Sequence, residues 1–306
     1  MPRPVIIDTD VGIDDAIALL LALASPELEV IGITAVGGNL PLTAVARNVR
    51  AILELAERPG TPVYAGCPRP IAPHRIDAAH VHGDSGLGGL LLPEPSIPLQ
   101  AEHGVTYLIE ALRQASSKSI TICAIAPLTN IATALVMAPN ITDGIAELII
   151  MGGGTRGNIT PAAEFNIHVD PLAAAIVFDS GVPITLMPLD VTSLTPSTPA
   201  RVEAMRRVGT RCAVAAATLI APPEDGSGRP PIGLHDACVI AYLLEPALFH
   251  TAEANVVIET QSGLTMGMTV IDSRDRSGRP LNARVADAID VDGLYQLLTE
   301  RLSRLP

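Results

Sequence analysis

Four carboxylates crowd into a short stretch near the start of the chain. The stretch reads Val-Ile-Ile-Asp-Thr-Asp-Val-Gly-Ile-Asp-Asp from residue 5 to residue 15, and its aspartates are Asp8, Asp10, Asp14 and Asp15. The apolar residues 4–7 predict a buried strand, and residues 16–24 predict a helix. The aspartates therefore span the turn from a strand end into a helix, whose first turn favours anions such as Asp14 and Asp15.

Helix capping explains one or two of these carboxylates, but it does not explain four. Like charges this close either raise the pKa of one group, so that a proton is shared, or recruit a cation. An all-oxygen cluster suits a hard ion such as Ca²⁺ or Mg²⁺. We therefore favour a metal site in this stretch over a purely structural cap.

Strands and helices alternate along the first two thirds of the chain. Further strands are predicted at residues 28–36, 62–65, 119–125, 147–151 and 184–187. Helices are predicted at residues 41–57 and 102–115, and a third ends near residue 137. The last part of the chain adds predicted strands near residues 255–258 and 264–271 and a helix at residues 291–302. This alternation predicts an α/β fold, with a single domain over residues 1–306 built on an open, mostly parallel sheet flanked by helices.

Glycine-rich or polar turns follow three of the predicted strands. These turns are Gly37-Gly38-Asn39, residues 126–130 and Gly152-Gly153-Gly154. Each run alone predicts only a tight turn. Together they should meet the acidic stretch at the carboxyl edge of the sheet, where open α/β sheets bind ligands.

Later segments add further candidate groups. Glu164, Phe165 and Asn166 carry carboxylate, aromatic and amide side chains suited to a polyol, whereas Asp170, followed by proline, is most simply a helix N-cap. The pair His235-Asp236 opens a predicted helix that ends at residue 244, and taken alone it is a first-turn aspartate beside an exposed histidine. The long loops at residues 66–98 and 221–231 are rich in proline and glycine, and loops of such length are usually functional.

Composition excludes several classes of protein. The 306 residues are 48% hydrophobic and contain no uninterrupted apolar run of 18 residues. A formal charge of −12 disfavours nucleic acid and anionic membranes as partners. No export signal is recognisable at the start, so we expect a cytoplasmic protein. The four cysteines lack metal-binding or disulfide spacing and are expected to be buried free thiols.

These segments, in this order, resemble the inosine-uridine-preferring nucleoside hydrolase family. The matching motifs are Asp8-Thr-Asp10-x-Gly12-x-Asp14-Asp15, Gly38-Asn39, His82-Gly-x-Ser-Gly-Leu87, Pro127-Leu-Thr-Asn130, Met151-Gly-Gly-Gly154, Ala163-Glu-Phe-Asn166, His235-Asp236 and Gly267-Met-Thr269. They cover nearly the whole chain. The resemblance implies a Rossmann-like nucleoside hydrolase fold and an enzyme that cleaves the N-glycosidic bond of ribonucleosides to ribose and free base.

The resemblance also implies a role for individual residues. One Ca²⁺ would be held by Asp10, Asp15, Asp236 and the main-chain carbonyl of Ile125, and Asp10 would also be the general base. Substrate contacts would come from Asp14, Asn39, His82, Met151, Asn158, Glu164 and Asn166. His235 would be the acid for the leaving base, with His82 the second candidate, and relatives are commonly homodimers or homotetramers.

Two departures from the family pattern affect these expectations. The usual glycine before Pro127 is Ala126, a small change that leaves the carbonyl of Ile125 available. Residues 211–235, where relatives usually place aromatic side chains against the base, contain no Phe, Tyr or Trp. Strong purine stacking from that segment is therefore absent, which predicts a pyrimidine preference or weak, broad activity.

Two other functions fit part of the sequence. Asp8-Thr-Asp10-Val resembles the nucleophile motif of Mg²⁺-dependent haloacid-dehalogenase-type phosphatases. That class needs a supporting lysine, for which only Lys118 is available, and it leaves Asp14 and Asp15 unused. A non-catalytic Ca²⁺-dependent binder of ribose or nucleosides is the other alternative, motivated by the missing aromatic residues.

Overall fold

The strand that leads into the acidic stretch lies inside a nine-stranded sheet. The computed structural model describes residues 1–71, 85–221 and 231–306. Within them the strands are β1 (Arg3–Thr9), β2 (Leu28–Ala35), β3 (Val63–Ala65), β4 (Ile120–Ala124), β5 (Ile145–Met151), β6 (Ile184–Met187), β7 (Phe249–Ile258), β8 (Thr269–Asp272) and β9 (Ala283–Ile289). The sheet order is β3-β2-β1-β4-β5-β6-β9-β7-β8. The first seven strands in this order pair in parallel, and β7 and β8 add antiparallel pairs at one edge.

Helices connect most of the parallel strands. In the described ranges they are α1 (Ile13–Leu23), α2 (Leu42–Leu55), α3 (Gly104–Gln114), α4 (Thr129–Met137), α5 (Phe165–Val169), α6 (Pro171–Phe178), α7 (Leu189–Thr192), α8 (Pro199–Arg206), α9 (Arg211–Leu219), α10 (Ala237–Leu244) and α11 (Val291–Leu302). The mostly parallel α/β fold predicted from the sequence is confirmed.

The inner strands are apolar on both faces because both faces are covered. Val5 and Ile7 of β1 belong to a core cluster that includes residues of α1 and α10, whereas Ile6 belongs to a second cluster on the opposite face. Such burial explains why β1 is a continuous apolar run without polar alternation. All eleven residues of α1 are buried. The acidic stretch is thus anchored at both ends in the core.

Several local predictions need correction. The prediction from sequence missed strand β9 and helices α5, α7, α8 and α9, and the strand expected near residues 264–271 is confined to β8. Cys67 is half-buried rather than buried, although all four thiols are free. Asp170 is the N-cap of α6, as predicted, and accepts a hydrogen bond from the Ala173 N–H.

Parts of the two long loops, residues 72–84 and 222–230, lie outside the described residues. The prediction for His82 therefore has no structural counterpart here. None of the helices in the three described ranges combines the length and apolar character needed to cross a bilayer.

Candidate active site

The carboxyl ends of the parallel strands bring the predicted polar residues to one edge of the sheet. Asp10 follows β1, Asn39 follows β2, Ile125 follows β4 and Met151 ends β5. This convergence follows from parallel pairing, in which all the strands point to the same edge.

Asp15 is fixed by groups of its own turn. Its Oδ1 accepts a hydrogen bond from the hydroxyl of Thr9 at 2.6 Å, and its Oδ2 accepts one from the Gly12 N–H at 2.8 Å. The second bond caps the first turn of α1, because Gly12 is the N-cap residue. A carboxylate there also interacts favourably with the helix dipole. These hydrogen bonds from protein groups fix the orientation of the Asp15 carboxylate.

Asp10 is held from one side only. Its Oδ2 accepts a hydrogen bond from the Asn39 N–H at 2.6 Å, whereas its buried Oδ1 has no hydrogen-bond partner among the residues that the structure describes. Gly38 permits the approach, because a Cβ at that position would lie 2.1 Å from Oδ2. Any side chain at position 38 would therefore displace the Asp10 carboxylate, so this position requires glycine.

Asp8 has a different environment, although it belongs to the same stretch. Its Oδ1 accepts hydrogen bonds from the hydroxyl of Thr34 at 2.5 Å and from Nδ2 of Asn130 at 2.8 Å. Burial raises the pKa of Asp8 to about 7, and these two bonds oppose the rise. Asp8 therefore connects β1 to β2 and α4 below the site.

Three buried carboxylates form the acidic centre of the site. Asp14, Asp15 and Asp236 each offer an oxygen, and these oxygens lie within 4.8 Å of one another. Burial, followed by the charges of Asp14, Asp15 and Asp10, raises the pKa of Asp236 well above its usual range. Burial and the charge of Asp15 likewise raise the pKa of Asp10.

This arrangement fits a hard cation. Buried carboxylates in contact require either shared protons or a positive charge, and oxygen-only donors are those that Ca²⁺ and Mg²⁺ prefer. The carboxylate of Asp10, which interacts electrostatically with Asp14 and Asp15, offers a further oxygen ligand near the triad. These residues are therefore suited to binding a divalent cation.

The sequence-based set of metal ligands overlaps this triad in part. Asp15 and Asp236 are in both sets, and the third member of the triad is Asp14, which was predicted to bind ribose. Asp10 interacts electrostatically with both Asp14 and Asp15. Ile125 is buried and its N–H donates to the carbonyl of Asp8 at 2.9 Å, which ties β4 to β1 directly below the acidic centre.

Glu164 is a buried carboxylate held by the backbone. Its Oε2 accepts hydrogen bonds from the N–H groups of Gly153 at 2.9 Å and Ile167 at 3.1 Å, and its Oε1 accepts one from the Asn166 N–H at 2.9 Å. Burial raises the pKa of Glu164 to about 7 despite these bonds. Glu164 is thus also the N-cap of α5.

The amides predicted to bind substrate are placed differently from one another. Nδ2 of Asn39 lies 3.4 Å from Oδ2 of Asp15, so Asn39 joins the acidic centre. Nδ2 of Asn166 lies 3.3 Å from the carbonyl and 3.6 Å from Sδ of Met151. Asn158 is exposed, and its Oδ1 accepts a hydrogen bond from the Phe165 N–H at 2.9 Å.

His235 is half-buried beside the acidic centre. Its Nδ1 lies 2.9 Å from the buried hydroxyl of Thr192. Burial lowers the pKa of His235, and the charge of Asp14 opposes this effect. The helix predicted after His235 is α10, which begins at Ala237.

Sequence reasoning missed Thr192 and the contribution of the Gly153 N–H. Thr192 ends α7, the short helix that follows β6, so the rule that found the other strand-end groups could have selected it. The role of Gly153 could not have been found in this way, because a backbone N–H leaves no signal in residue type. Gly153 has a φ of +67°, which turns this N–H toward Glu164.

The chain is similar to a known family and to relatives named as ribonucleoside hydrolases. The family model described as inosine-uridine preferring nucleoside hydrolase matches residues 5–296. A pyrimidine-specific ribonucleoside hydrolase, RihA, from Salmonella schwarzengrund is 44% identical over 308 residues, which cover 99% of each chain.

Solved structures give the same result. A purine-preferring ribonucleoside hydrolase from Gardnerella vaginalis is 32% identical, with a TM-score of 0.90 and 98% of each chain covered. An inosine-guanosine nucleoside hydrolase is 27% identical, with a TM-score of 0.90 and full coverage of both chains. These relatives differ in the base that their names specify, whereas they share the hydrolysis of nucleosides.

Proposed function

The chain belongs to the inosine-uridine preferring nucleoside hydrolase family and is a nucleoside N-ribohydrolase, and we propose that it is a Ca²⁺-dependent enzyme with a preference for pyrimidine ribonucleosides. The observation that carries the metal dependence is the buried triad of Asp14, Asp15 and Asp236, with which the Asp10 carboxylate interacts electrostatically. The phosphatase is not retained, because it leaves Asp14, Asp15 and the other matched motifs unused. The non-catalytic binder is not retained, because the relatives are named as ribonucleoside hydrolases.

Asp10, Asp15, Asp236 and the carbonyl of Ile125 would hold the cation, and Asp14 is near enough to the same centre to take part. We prefer Ca²⁺ to Mg²⁺ because carboxylate, carbonyl and sugar oxygens together suit a shell larger than six ligands. A bound divalent cation makes a water nucleophile available near neutral pH and neutralises the acidic centre.

Asp10 is the general base in this proposal. Its Oδ2 is engaged by the Asn39 N–H, whereas Oδ1 is left for an incoming proton. Burial and the charge of Asp15 raise the pKa of Asp10 in the metal-free chain, and a cation bound at the acidic centre would oppose this rise and keep Asp10 ionised as a base requires. Because Gly38 and Asn39 fix the carboxylate, little reorganisation is needed when it acts.

The other polar groups bind and stabilise the sugar. Breaking the N-glycosidic bond develops positive charge on the ribose, which fixed carboxylates stabilise electrostatically. Glu164 is held by three backbone N–H groups, and Asp14 lies in the first turn of α1. The substrate contacts that we propose are made by Asp14, Asn39, His82, Met151, Asn158, Glu164 and Asn166.

His235 serves the leaving base in this proposal. It lies on the chain directly before Asp236 and within the electrostatic range of Asp14. A departing base accumulates negative charge, and a hydrogen-bond donor directed at it lowers the barrier. A purine or a pyrimidine without such a donor is a poor leaving group.

The base preference rests on the segment before His235. With no Phe, Tyr or Trp in residues 211–235, this segment offers hydrogen bonds to the base and no aromatic stacking, which favours the carbonyl edge of a pyrimidine. We expect kcat/KM to be higher for uridine and cytidine than for inosine when released ribose is measured across this panel. Efficient inosine hydrolysis with poor uridine hydrolysis would overturn the preference.

Assembly and location are proposals that rest on the sequence and the family resemblance. We propose a cytoplasmic homodimer or homotetramer that acts on free nucleosides and has neither nucleic acid nor membrane as a partner. A monomeric mass in solution would contradict the assembly.

A further inference from the structure

The short helix α7 joins the two sides of the site. At its start, the Leu189 N–H donates to the carbonyl of Gly153 at 2.9 Å, and Oδ2 of Asp190 accepts from the Thr155 N–H at 2.8 Å. At its end, the hydroxyl of Thr192 meets Nδ1 of His235. Helix α7 thus connects the turn that supports Glu164 with the residue assigned to the leaving base.

The Thr192 hydroxyl has one partner among the residues that the structure describes, and that partner is Nδ1 of His235. The hydroxyl is fully buried, so its proton needs an acceptor. If the imidazole donated from Nδ1 instead, the O–H would be left unsatisfied, at a cost of roughly 1–3 kcal/mol. The lower-energy arrangement has the Thr192 hydroxyl donating to an unprotonated Nδ1.

A neutral imidazole with an unprotonated Nδ1 carries its proton on Nε2. Gly233 leaves space beside that nitrogen, because a Cβ at position 233 would lie 2.7 Å from Nε2. The segment before His235 is itself fixed, since the Leu234 N–H donates to the Thr195 hydroxyl at 2.9 Å. Both the position and the tautomer of the ring are therefore defined by its surroundings.

We propose that Thr192 is a positioning residue that holds His235 in the Nε2–H tautomer, so that the ring donates a hydrogen bond from Nε2 to the departing base. The proposal rests on the proposed role of His235. Thr192 does not contact the substrate in this scheme and acts only through the imidazole. No proton needs to leave the ring, because the donated hydrogen bond alone stabilises the developing negative charge. The released base anion then takes its proton from solvent water, and Asp10 returns to solvent the proton that it accepted.

The test compares Thr192→Val, which keeps the shape and removes the hydroxyl, with Thr192→Ser, which keeps the hydroxyl. On uridine we expect Thr192→Val to lower kcat by roughly 10-fold to 100-fold, since misplacing one group can cost about 10²-fold. KM should change little. On nitrophenyl riboside, whose leaving group needs no donor, the same variant should retain nearly normal turnover, and Thr192→Ser should resemble the wild type on both substrates.

A double-mutant cycle separates positioning from a general structural effect. In a His235→Ala background, Thr192→Val should cause no further loss on uridine, because the ring through which it acts is gone. A full additional loss in that background, or equal losses on both substrates, would overturn the proposal. Thr192→Ser behaving like Thr192→Val would also overturn it.

The ring itself gives a readout that does not depend on turnover. ¹⁵N shifts of the His235 imidazole, assigned by comparison with His235→Ala, should show the proton on Nε2 in the wild type and in Thr192→Ser, and a mixture of tautomers in Thr192→Val. A wild-type protein that releases no ribose would refute the proposed function, and these shifts would still decide the positioning. An Nδ1–H tautomer in the wild type would refute the positioning alone.

Discussion

Replacing Asp10 by asparagine is expected to lower kcat on uridine by at least ~10²-fold, the low end for the loss of a general base. The amide keeps an oxygen that can accept from the Asn39 N–H and nearly the same volume beside Gly38. It removes the basic oxygen at the unpartnered Oδ1 position. The binding of ribose should therefore be largely preserved while turnover falls.

Asp8→Asn is the matched control for this variant. Asp8 is also buried and belongs to the same stretch, and its Oδ2 likewise has no hydrogen-bond partner among the described residues. It differs from Asp10 in that its Oδ1 is held by Thr34 and Asn130 and in that it is not one of the proposed cation ligands. We expect its effect on kcat to be less than about 10-fold, because Asp8 has no role in proton transfer in this account. Wild-type turnover by Asp10→Asn would assign the base to another residue.

Removing divalent cations is expected to destabilise the protein, and more strongly at neutral pH than at acid pH. Saturating Ca²⁺ at 100-fold above its Kd should add about 2.7 kcal/mol to the free energy of unfolding. For a chain of this size, that corresponds to a rise in Tm of roughly 4 °C. The physical reason is the triad of Asp14, Asp15 and Asp236, whose negative charges repel one another when no cation is bound.

The sign of the pH dependence follows from the raised pKa values. Burial and neighbouring carboxylates raise the pKa of Asp10 and Asp236, and burial raises that of Asp8 from 3.8 to about 7. The folded metal-free chain therefore binds more protons than the unfolded chain, and its stability falls as the pH rises from about 4 to 7 and above. The prediction is checked by measuring Tm with chelator and with Ca²⁺, at about pH 5 and at about pH 8. A cation effect that is equal at both pH values would contradict it.

The parallel sheet and the carboxyl edge could be predicted because both follow from local patterns. The continuous apolar run of β1, the polar residues after it and the first turn of α1 are encoded within residues 3–23. Residues 184–187 and the last helix, Val291–Leu302, were predicted with the bounds observed. Strand β9 was missed for two reasons. It is held in the sheet by pairing with β6, which is about 100 residues earlier in the chain, and apolar and polar residues alternate only weakly in its sequence.

The contacts within the site were less predictable than its location. The residue types at Asp14, Asp15 and Asp236 indicated oxygen ligands, but only the fold brings Asp236 within 4.8 Å of the other two. The pairing of Thr192 with His235 joins residues 43 positions apart and has no sequence signal. The role of Asn158 was predicted from the family motifs, whereas in the structure its Oδ1 is engaged by the backbone of Phe165.

The most direct test of the central claim is the release of ribose from uridine by the purified protein before chelation, after chelation and after addition of Ca²⁺. The account predicts that chelation nearly abolishes release and that Ca²⁺ restores it more fully than Mg²⁺. Ribose release that is unchanged by complete chelation would contradict the account, as would a protein that releases no ribose from any nucleoside with Ca²⁺ present.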